Sequence, residues 1–284
     1  MRPLLLALSL AVAGCSSERA PLEPLPVEIA PGDAAPLAAD KLDAEALAER
    51  ASRSVVKVEL DTHAVKSASE YGHDVEQSFF GFLLNPLTLP AFLLEVLFGW
   101  LDFAQRWGSG FIVDTAGHVV TNAHVVADER EVTIERADRL TFRAKVIAVD
   151  AGRDLALLRI ELGDTTLLPA DVMPLGSSSA VRLGQKAVIY GFPTRPWDQD
   201  LPIPTVTAGI VSSAGIDVGE RAKRIQLDAA ANHGSSGSPV LDEHGAAIGV
   251  VTEAAENMES QTFAIPIDDV IEAFFKRTND GHPH

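Results

Sequence analysis

A succession of short apolar segments separated by turn residues runs along most of the chain and limits its possible folds more than any other feature. Such segments, rich in Val, Ile and Thr, are typical of β-strands. Many short strands of this kind favour an all-β fold of paired antiparallel barrels. The predicted strands cover residues 55–60, 110–113, 119–121, 132–134, 142–149, 155–160, 187–191, 205–213, 224–227, 240–241, 247–252 and 263–267.

One short helix is predicted on each side of these strands. Asp40 has a side chain that favours a helix N-cap, and the helix after it is expected to run to about Ser52. A final helix is predicted over residues 268–277, with an apolar stripe that we expect to pack into the core. The residues of that stripe are Val270, Ile271, Phe274 and Phe275.

Three polar residues far apart in the sequence have the types that a nucleophilic site needs. A serine hydroxyl is a poor nucleophile near neutral pH, so a histidine must take its proton and a carboxylate must hold that imidazole. Ser236 lies in the sequence Gly-Ser-Ser-Gly-Ser-Pro, His124 in Thr-Asn-Ala-His-Val-Val and Asp154 in Arg-Asp-Leu-Ala-Leu-Leu. The sequence therefore predicts His124, Asp154 and Ser236 as catalytic residues.

The glycines around Ser236 predict a tight turn. Gly234 allows the backbone to turn so that its N–H and that of Ser236 point at one spot, where an oxyanion would develop. Gly237 and Pro239 then let the chain leave the turn and enter a strand. Gly234 and Ser236 are thus the predicted oxyanion hole.

These motifs resemble the HtrA/Deg family of trypsin-like serine proteases, and the order His124, Asp154, Ser236 is that of the chymotrypsin-type triad. The resemblance extends from about Leu42 to Arg277. It implies two six-stranded antiparallel β-barrels of the chymotrypsin type and a serine endopeptidase that cleaves unfolded or misfolded proteins through an acyl-enzyme. The segments that carry it are 108–114, 118–126, 153–156, 205–212 and 263–266.

The specificity pocket departs from the family pattern. The ending Ser-Gly-Ser-Pro resembles the glutamyl endopeptidases, but Val251 stands where those enzymes carry a pocket histidine. An apolar wall cannot neutralise a buried carboxylate, so we expect a small aliphatic residue before the cut bond. Ala231, Val251 and Phe263 are the predicted pocket residues. His233 is predicted at the rim, where it leaves acidic specificity open as the alternative.

The first residues predict export. Residues 1–14 have the charged start and short apolar core of a secretory signal, too short for a stable membrane span. Val-Ala-Gly-Cys resembles a lipobox, which implies a lipidated Cys15, and the alternative is an ordinary signal with an incidental cysteine. Ser16 then favours the outer membrane facing the periplasm. Residues 15–40, rich in Pro, Ala and Glu, are predicted to be an extended tether.

A hydrophobic insertion, residues 78–107, interrupts the predicted protease domain at residues 41–277. By the resemblance it corresponds to a long regulatory loop of the family. An apolar patch of this size is not expected to stay in contact with water. Three alternatives stay open: docking on the bilayer or another subunit, folding back over its own barrel or active site, and membrane spanning. Residues 278–284 are predicted as a tail, and no peptide-binding PDZ module is expected.

Charge and residue spacing exclude several functions. The formal net charge of −17 argues against nucleic acid, because the phosphate backbone rewards clustered Lys and Arg. No spacing of His, Cys and carboxylates resembles a zinc site, so we expect no metal and no cofactor. Partners are expected to be unfolded polypeptides, the membrane and, by the resemblance, two further copies in a homotrimer. The alternative function is a non-catalytic or latent chaperone scaffold with the protease fold.

Overall fold

The structure is a computed structural model that describes residues 34, 37–38, 40–60, 107–193, 203–217, 223–254 and 261–275. Several predictions lie outside these residues: the signal at 1–14, Cys15 with most of the tether, all of the insertion except Trp107, and the tail at 278–284.

The first barrel is formed by six antiparallel strands in the order β1-β2-β3-β6-β5-β4, and it closes because β1 pairs with β4. Its interior is an apolar cluster to which alternate residues of the strands contribute, Val132 and Ile134 among them. The strands are β1 (Val55–Leu60), β2 (Trp107–Ile112), β3 (His118–Thr121), β4 (Glu131–Arg136), β5 (Thr141–Asp150) and β6 (Leu155–Ile160).

The second barrel repeats this arrangement with the order β10-β11-β12-β9-β8-β7. It closes because β10 pairs with both β7 and β11. The two closed six-stranded barrels confirm the predicted fold class. The strands are β7 (Lys186–Gly191), β8 (Thr205–Asp217), β9 (Lys223–Leu227), β10 (Pro239–Leu241), β11 (Ala247–Ala254) and β12 (Thr262–Pro266).

Strand pairing moves some boundaries away from the predicted ones. β2 begins at Trp107 instead of residue 110, because Trp107, Gly108 and Ser109 pair with β1. β8 extends to Asp217, since its last residues pair with β9. Neither extension shows the apolar alternation from which a strand is predicted.

Helix α1 (Ala44–Ser52) precedes the barrels, and its predicted cap was wrong. The N-cap is Asp43, whose carboxylate accepts the N–H of Ala46 over 2.9 Å, because a capping side chain must directly precede the first helical residue. Asp40 lies too far upstream for this bond.

The described part of the chain contains two further α-helices, α2 (Ala123–Val126) and α3 (Ile267–Phe274). In α3, Val270 and Phe274 are buried as predicted, together with Phe275 just beyond its end, and Ile271 is partly buried. Helices α1 and α3 pack with residues of both barrels in one shared apolar cluster. Among the described residues, none of the helices is long and apolar enough to cross a membrane.

Candidate active site

His124 lies on α2, a one-turn helix directly after β3 that the sequence did not predict. Its Nδ1 lies 3.0 Å and 2.9 Å from the two carboxylate oxygens of Asp154, and its backbone N–H donates to the same carboxylate over 3.0 Å. Because an ionised carboxylate only accepts hydrogen bonds, Nδ1 must carry a hydrogen. In the neutral form of the ring, Nε2 is then the unprotonated nitrogen, which can act as a base. The side chain of His124 is 49% exposed, so Nε2 is accessible to a substrate.

Asp154 lies in the turn between β5 and β6 with a positive φ of 63°, a conformation that costs a residue other than glycine energy. The side-chain amide of Asn122 donates to its carbonyl over 2.9 Å and holds this conformation. Burial raises the pKa of the Asp154 carboxyl, but hydrogen bonds from His124 and Thr252 outweigh burial and hold the pKa below its ordinary value. The carboxylate is therefore ionised at neutral pH.

Ser236 lies in a tight turn between β9 and β10. The N–H of Ser235 donates to the carbonyl of Asn232 over 2.9 Å, and Gly234 has a φ of +83°. A positive φ at the third residue is the feature of a type II turn and favours glycine there. Among the described residues, none accepts the N–H of Gly234 or of Ser236.

Thr252 is hydrogen-bonded both to Asp154 and to Ser236, and sequence reasoning missed it. Its Oγ1 donates to Asp154 over 2.6 Å, and its carbonyl accepts the hydroxyl of Ser236 over 3.2 Å. In the part of the chain that the structure describes, the hydroxyl of Ser236 has no hydrogen bond with His124. The structure thus joins His124 to Asp154 directly, and joins Ser236 to Asp154 only through Thr252.

The predicted pocket residues lie in the second barrel and in the segment before Ser236. Val251 is buried in the interior cluster of the second barrel, and Ala231 packs against that cluster. Phe263 on β12 pairs across the sheet with Glu253 and is partly buried, and His233 is exposed in the turn before Ser236. The surroundings of Val251 are therefore apolar, and the imidazole of His233 is exposed.

Asp228 holds the segment that leads to the Ser236 turn. Its carboxylate accepts the N–H of Ile210 on β8 over 2.6 Å. The hydroxyls of Thr207 and Thr262 donate to the next two carbonyls along that segment, those of Ala230 and Ala229, over 2.8 and 2.6 Å. The bond to Ile210 gives Asp228 a structural role, and the two threonine bonds hold the residues that follow it.

The described ranges contain no cluster of three or more His, Cys, Asp or Glu side chains that could hold a metal ion.

A barrel pair with this arrangement of histidine, aspartate and serine defines a class of protein, the trypsin-like peptidases. The sequence model of the trypsin-like peptidase domain matches residues 108–250, half of the 284-residue chain. The chain belongs to this family.

Within the class, the chain is similar to the HtrA/Deg serine proteases, which confirms the resemblance seen in the motifs. It is 40% identical over 192 residues to "Serine protease HTRA2, mitochondrial" of Bos taurus, covering 64% of this chain and 39% of that protein. It is 36% identical over 189 residues to "Protease Do-like 1, chloroplastic" of Arabidopsis thaliana, covering 63% and 40%.

A bacterial relative aligns over a longer stretch. The chain is 33% identical over 257 residues to "Probable periplasmic serine endoprotease DegP-like" of Hahella chejuensis, covering 86% of this chain and 50% of that protein. The chain therefore spans half or less of the length of these three relatives.

Proposed function

We propose that this chain is a serine endopeptidase that cleaves unfolded or misfolded polypeptides of the cell envelope through an acyl-enzyme. The observation that carries this proposal is the bond between Asp154 and Nδ1 of His124, beside a serine turn in which two N–H groups have no acceptor among the described residues. The bond leaves Nε2 of His124 exposed as a base.

In the proposed reaction, the hydroxyl of Ser236 first turns from the carbonyl of Thr252 towards Nε2 of His124. Oγ then attacks the carbonyl carbon of the scissile peptide while Nε2 accepts the hydroxyl proton. The carbon–nitrogen bond breaks as the imidazolium donates that proton to the leaving amine. Water repeats both steps on the acyl-enzyme, which releases the new carboxyl end and restores Ser236.

The N–H groups of Gly234 and Ser236 are the proposed donors to the oxyanion that develops during attack. Both are unengaged by the described residues, and the positive φ of Gly234 orients its peptide in the turn. Donors of this kind each contribute roughly 100- to 1000-fold to the rate of such enzymes.

A small aliphatic residue before the cut bond fits the apolar surface around Val251 and Ala231. A carboxylate bound there would have no partner in the wall, and leaving it unpaired is costly. In a peptide library, kcat/KM is therefore expected to be higher for Val or Ala than for Glu at this position. Cleavage mainly after Glu would instead identify His233 as the residue that selects the substrate.

Covalent labelling by a fluorophosphonate probe tests the proposed function. We expect wild-type protein to label at Ser236, and the Ser236→Ala variant to remain unlabelled. Degradation of an unfolded protein, but not of the same protein in its folded state, is expected to follow the same dependence on Ser236. Absence of labelling in the wild type, with and without lipid vesicles, would contradict a peptidase.

The second candidate is a latent or non-catalytic chaperone scaffold. One observation favours it: the hydroxyl of Ser236 is bound to the carbonyl of Thr252 instead of to His124. Labelling that appears only with lipid or an unfolded polypeptide would identify a latent enzyme. Suppression of substrate aggregation by Ser236→Ala, without labelling of the wild type, would identify a scaffold.

The proposed location is the bacterial envelope, with a lipid on Cys15 and the barrels in the periplasm. The composition of residues 1–15 supports it, and one of the relatives is named as periplasmic. Mass spectrometry of the N-terminal peptide, and release of Cys15→Ser from the membrane fraction, test the anchor. A homotrimer and membrane docking through residues 78–107 are proposed on the family resemblance, and light scattering with and without vesicles tests them.

A further inference from the structure

Ser109, in β2, is a fully buried polar residue between the two barrels. Its Oγ donates to the carbonyl of Gly234 over 2.8 Å and accepts the N–H of Phe192 over 2.9 Å. Its N–H donates to the carbonyl of Ser236 over 2.7 Å, and its carbonyl accepts the hydroxyl of Thr121 over 2.7 Å. Every polar atom of Ser109 is thus bonded to the site or its surroundings.

These bonds hold the two peptide groups on either side of the Ser235–Ser236 peptide. The first has its carbonyl, that of Gly234, bound by Oγ of Ser109, while its N–H, that of Ser235, donates to Asn232. The second has its carbonyl, that of Ser236, bound by the N–H of Ser109. Because each peptide group is planar, a bond at its carbonyl also orients its N–H.

The other end of the second peptide is held by the second barrel, since the N–H of Gly237 donates to the carbonyl of Val251 over 2.8 Å. Between these peptides, the carbonyl of Ser235 accepts the N–H of Ser238 over 3.0 Å. In a trans peptide the carbonyl and the N–H point in opposite directions, so the N–H of Ser236 points away from that bond. Since none of the described residues accepts this N–H, it is available to an oxyanion.

Ser109 also connects the turn to the base. Thr121, which donates to its carbonyl, lies on β3 three residues before His124. The base therefore comes from the first barrel and the nucleophile from the second, and Ser109 is hydrogen-bonded to the segments that carry both.

We propose that Ser109 is a positioning residue that fixes the orientation of the Ser236 turn, and thereby of its oxyanion donors, through the hydrogen bond from Oγ to the Gly234 carbonyl. The inference rests on the proposed peptidase function. Ser109 itself touches no substrate, so its effect is on the geometry of Gly234 and Ser236 in the transition state.

The Ser109→Ala variant of the full chain tests this role, because it removes Oγ and keeps the backbone bonds of the residue. We expect the fluorophosphonate labelling rate and kcat to fall by ~10- to 100-fold, as misplacement of reacting groups commonly does. KM is expected to stay nearly unchanged, since the lost interaction acts only in the transition state. The Ser109→Cys variant, which retains a weak donor, is expected to fall between Ala and wild type.

Ser54→Ala is the matched control. Ser54 is also buried, and its hydroxyl donates to the carbonyl of Ala51 over 3.3 Å, away from the turn. If Ser109 acts only through general stability, the two Ala variants will lose labelling in proportion to their loss of stability. A low kcat in Ser109→Ala at temperatures where both variants are fully folded separates positioning from stability.

Hydrogen exchange supplies a readout that needs no activity. The amides of Gly237, bonded to the carbonyl of Val251, and of Ser238, bonded to that of Ser235, are expected to exchange at least about tenfold faster in Ser109→Ala than in wild type or Ser54→Ala. Wild-type labelling together with wild-type exchange in Ser109→Ala would overturn the inference. If the wild-type protein does not label at all, the proposed function fails, and the exchange rates alone decide on Ser109. Should Ser109→Ala not fold, the same measurements on Ser109→Cys decide.

Discussion

Gly237, immediately after the serine of the turn, is where we expect a single methyl group to be most disruptive. It has a φ of +86°, and a Cβ atom added to it would lie within 2.6 Å of Oγ1 of Thr121. The same atom would overlap the backbone carbonyl oxygen of Ser109. Since that oxygen belongs to β2 and not to a flexible side chain, the backbone must move to relieve the overlap.

The expected cost of Gly237→Ala has two parts. The left-handed backbone costs a residue with a Cβ about 1–2 kcal/mol. Relief of the overlap adds about 1–3 kcal/mol, typical of overpacking in a buried site. The total loss in the free energy of unfolding is therefore about 2–5 kcal/mol. Reduced backbone freedom in the unfolded chain offsets part of it, by ~0.4–1 kcal/mol.

Gly184→Ala separates the two parts. Gly184 has a similar φ of +76°, but among the described residues no atom beyond its chain neighbours lies within 4 Å of its added Cβ. This variant should lose only the conformational part, about 1–2 kcal/mol before the same offset. The difference between the two variants therefore isolates the overlap with Ser109 and Thr121.

Urea unfolding followed by circular dichroism measures the loss of stability in both variants, and the rate of fluorophosphonate labelling measures the reactivity of Ser236. We expect Gly237→Ala to be destabilised by about 1–3 kcal/mol more than Gly184→Ala, and to label far more slowly. Equal destabilisation of the two variants would refute the steric reasoning. Wild-type labelling by Gly237→Ala would refute the close approach of β2 to the turn.

Three further predictions follow from the hydrogen bonds of the described residues. Thr252→Val should lower the labelling rate by ~10- to 100-fold, because it removes a hydrogen bond to a charged acceptor, which is worth about 1.5–3 kcal/mol. Thr252→Ser keeps the hydroxyl and should retain most of the labelling rate. An unchanged rate in Thr252→Val would contradict the role of the Thr252 hydroxyl in holding Asp154. Asp114→Asn tests a buried pair: burial raises the pKa of Asp114, but hydrogen bonds from His118 outweigh it and hold the pKa below its ordinary 3.8. The ionised carboxylate therefore stabilises the wild type above about pH 4, and the stability advantage over the Asn variant should shrink as the pH falls through the lowered pKa. Urea unfolding of both proteins at pH 7 and pH 3 measures this advantage. A stability difference that does not depend on pH would contradict the pairing of Asp114 with His118. Asp43→Ala should cost about 1 kcal/mol through loss of the helix cap, whereas Asp40→Ala should cost nearly nothing in the same assay.

Much of the fold could be predicted because strand patterns are local. Segments such as 155–160 show their apolar pattern within a few residues, and β6 has those predicted bounds. Helix α2 has only four residues, too few for a helical period, and its His124 N–H is held by a carboxylate from a distant turn. A helix of this length has no local signal that sequence reasoning could detect.

The candidate site also contains residues that the sequence predicted and residues that it did not. His124, Asp154 and Ser236 were predicted because their chemistry and neighbouring residues identify them, and their catalytic roles stay predictions that labelling can test. Thr252 was missed, since a threonine in a strand reads as an ordinary β-branched residue. Ser109 was noticed only as part of segment 108–114, which carries the family resemblance. Both residues act through partners far away in the sequence.

By itself, the sequence determined the run of short strands, the two barrels that its motifs implied, and the chemical types of the predicted catalytic residues. Only the tertiary structure decided that the Ser236 hydroxyl donates to Thr252, that Asp43 caps α1, and that Ser109 holds the Gly234 carbonyl. The physical reason is that hydrogen bonds are short and directional. Their partners across two barrels depend on strand register and on where the barrels meet, which no local stretch of sequence specifies.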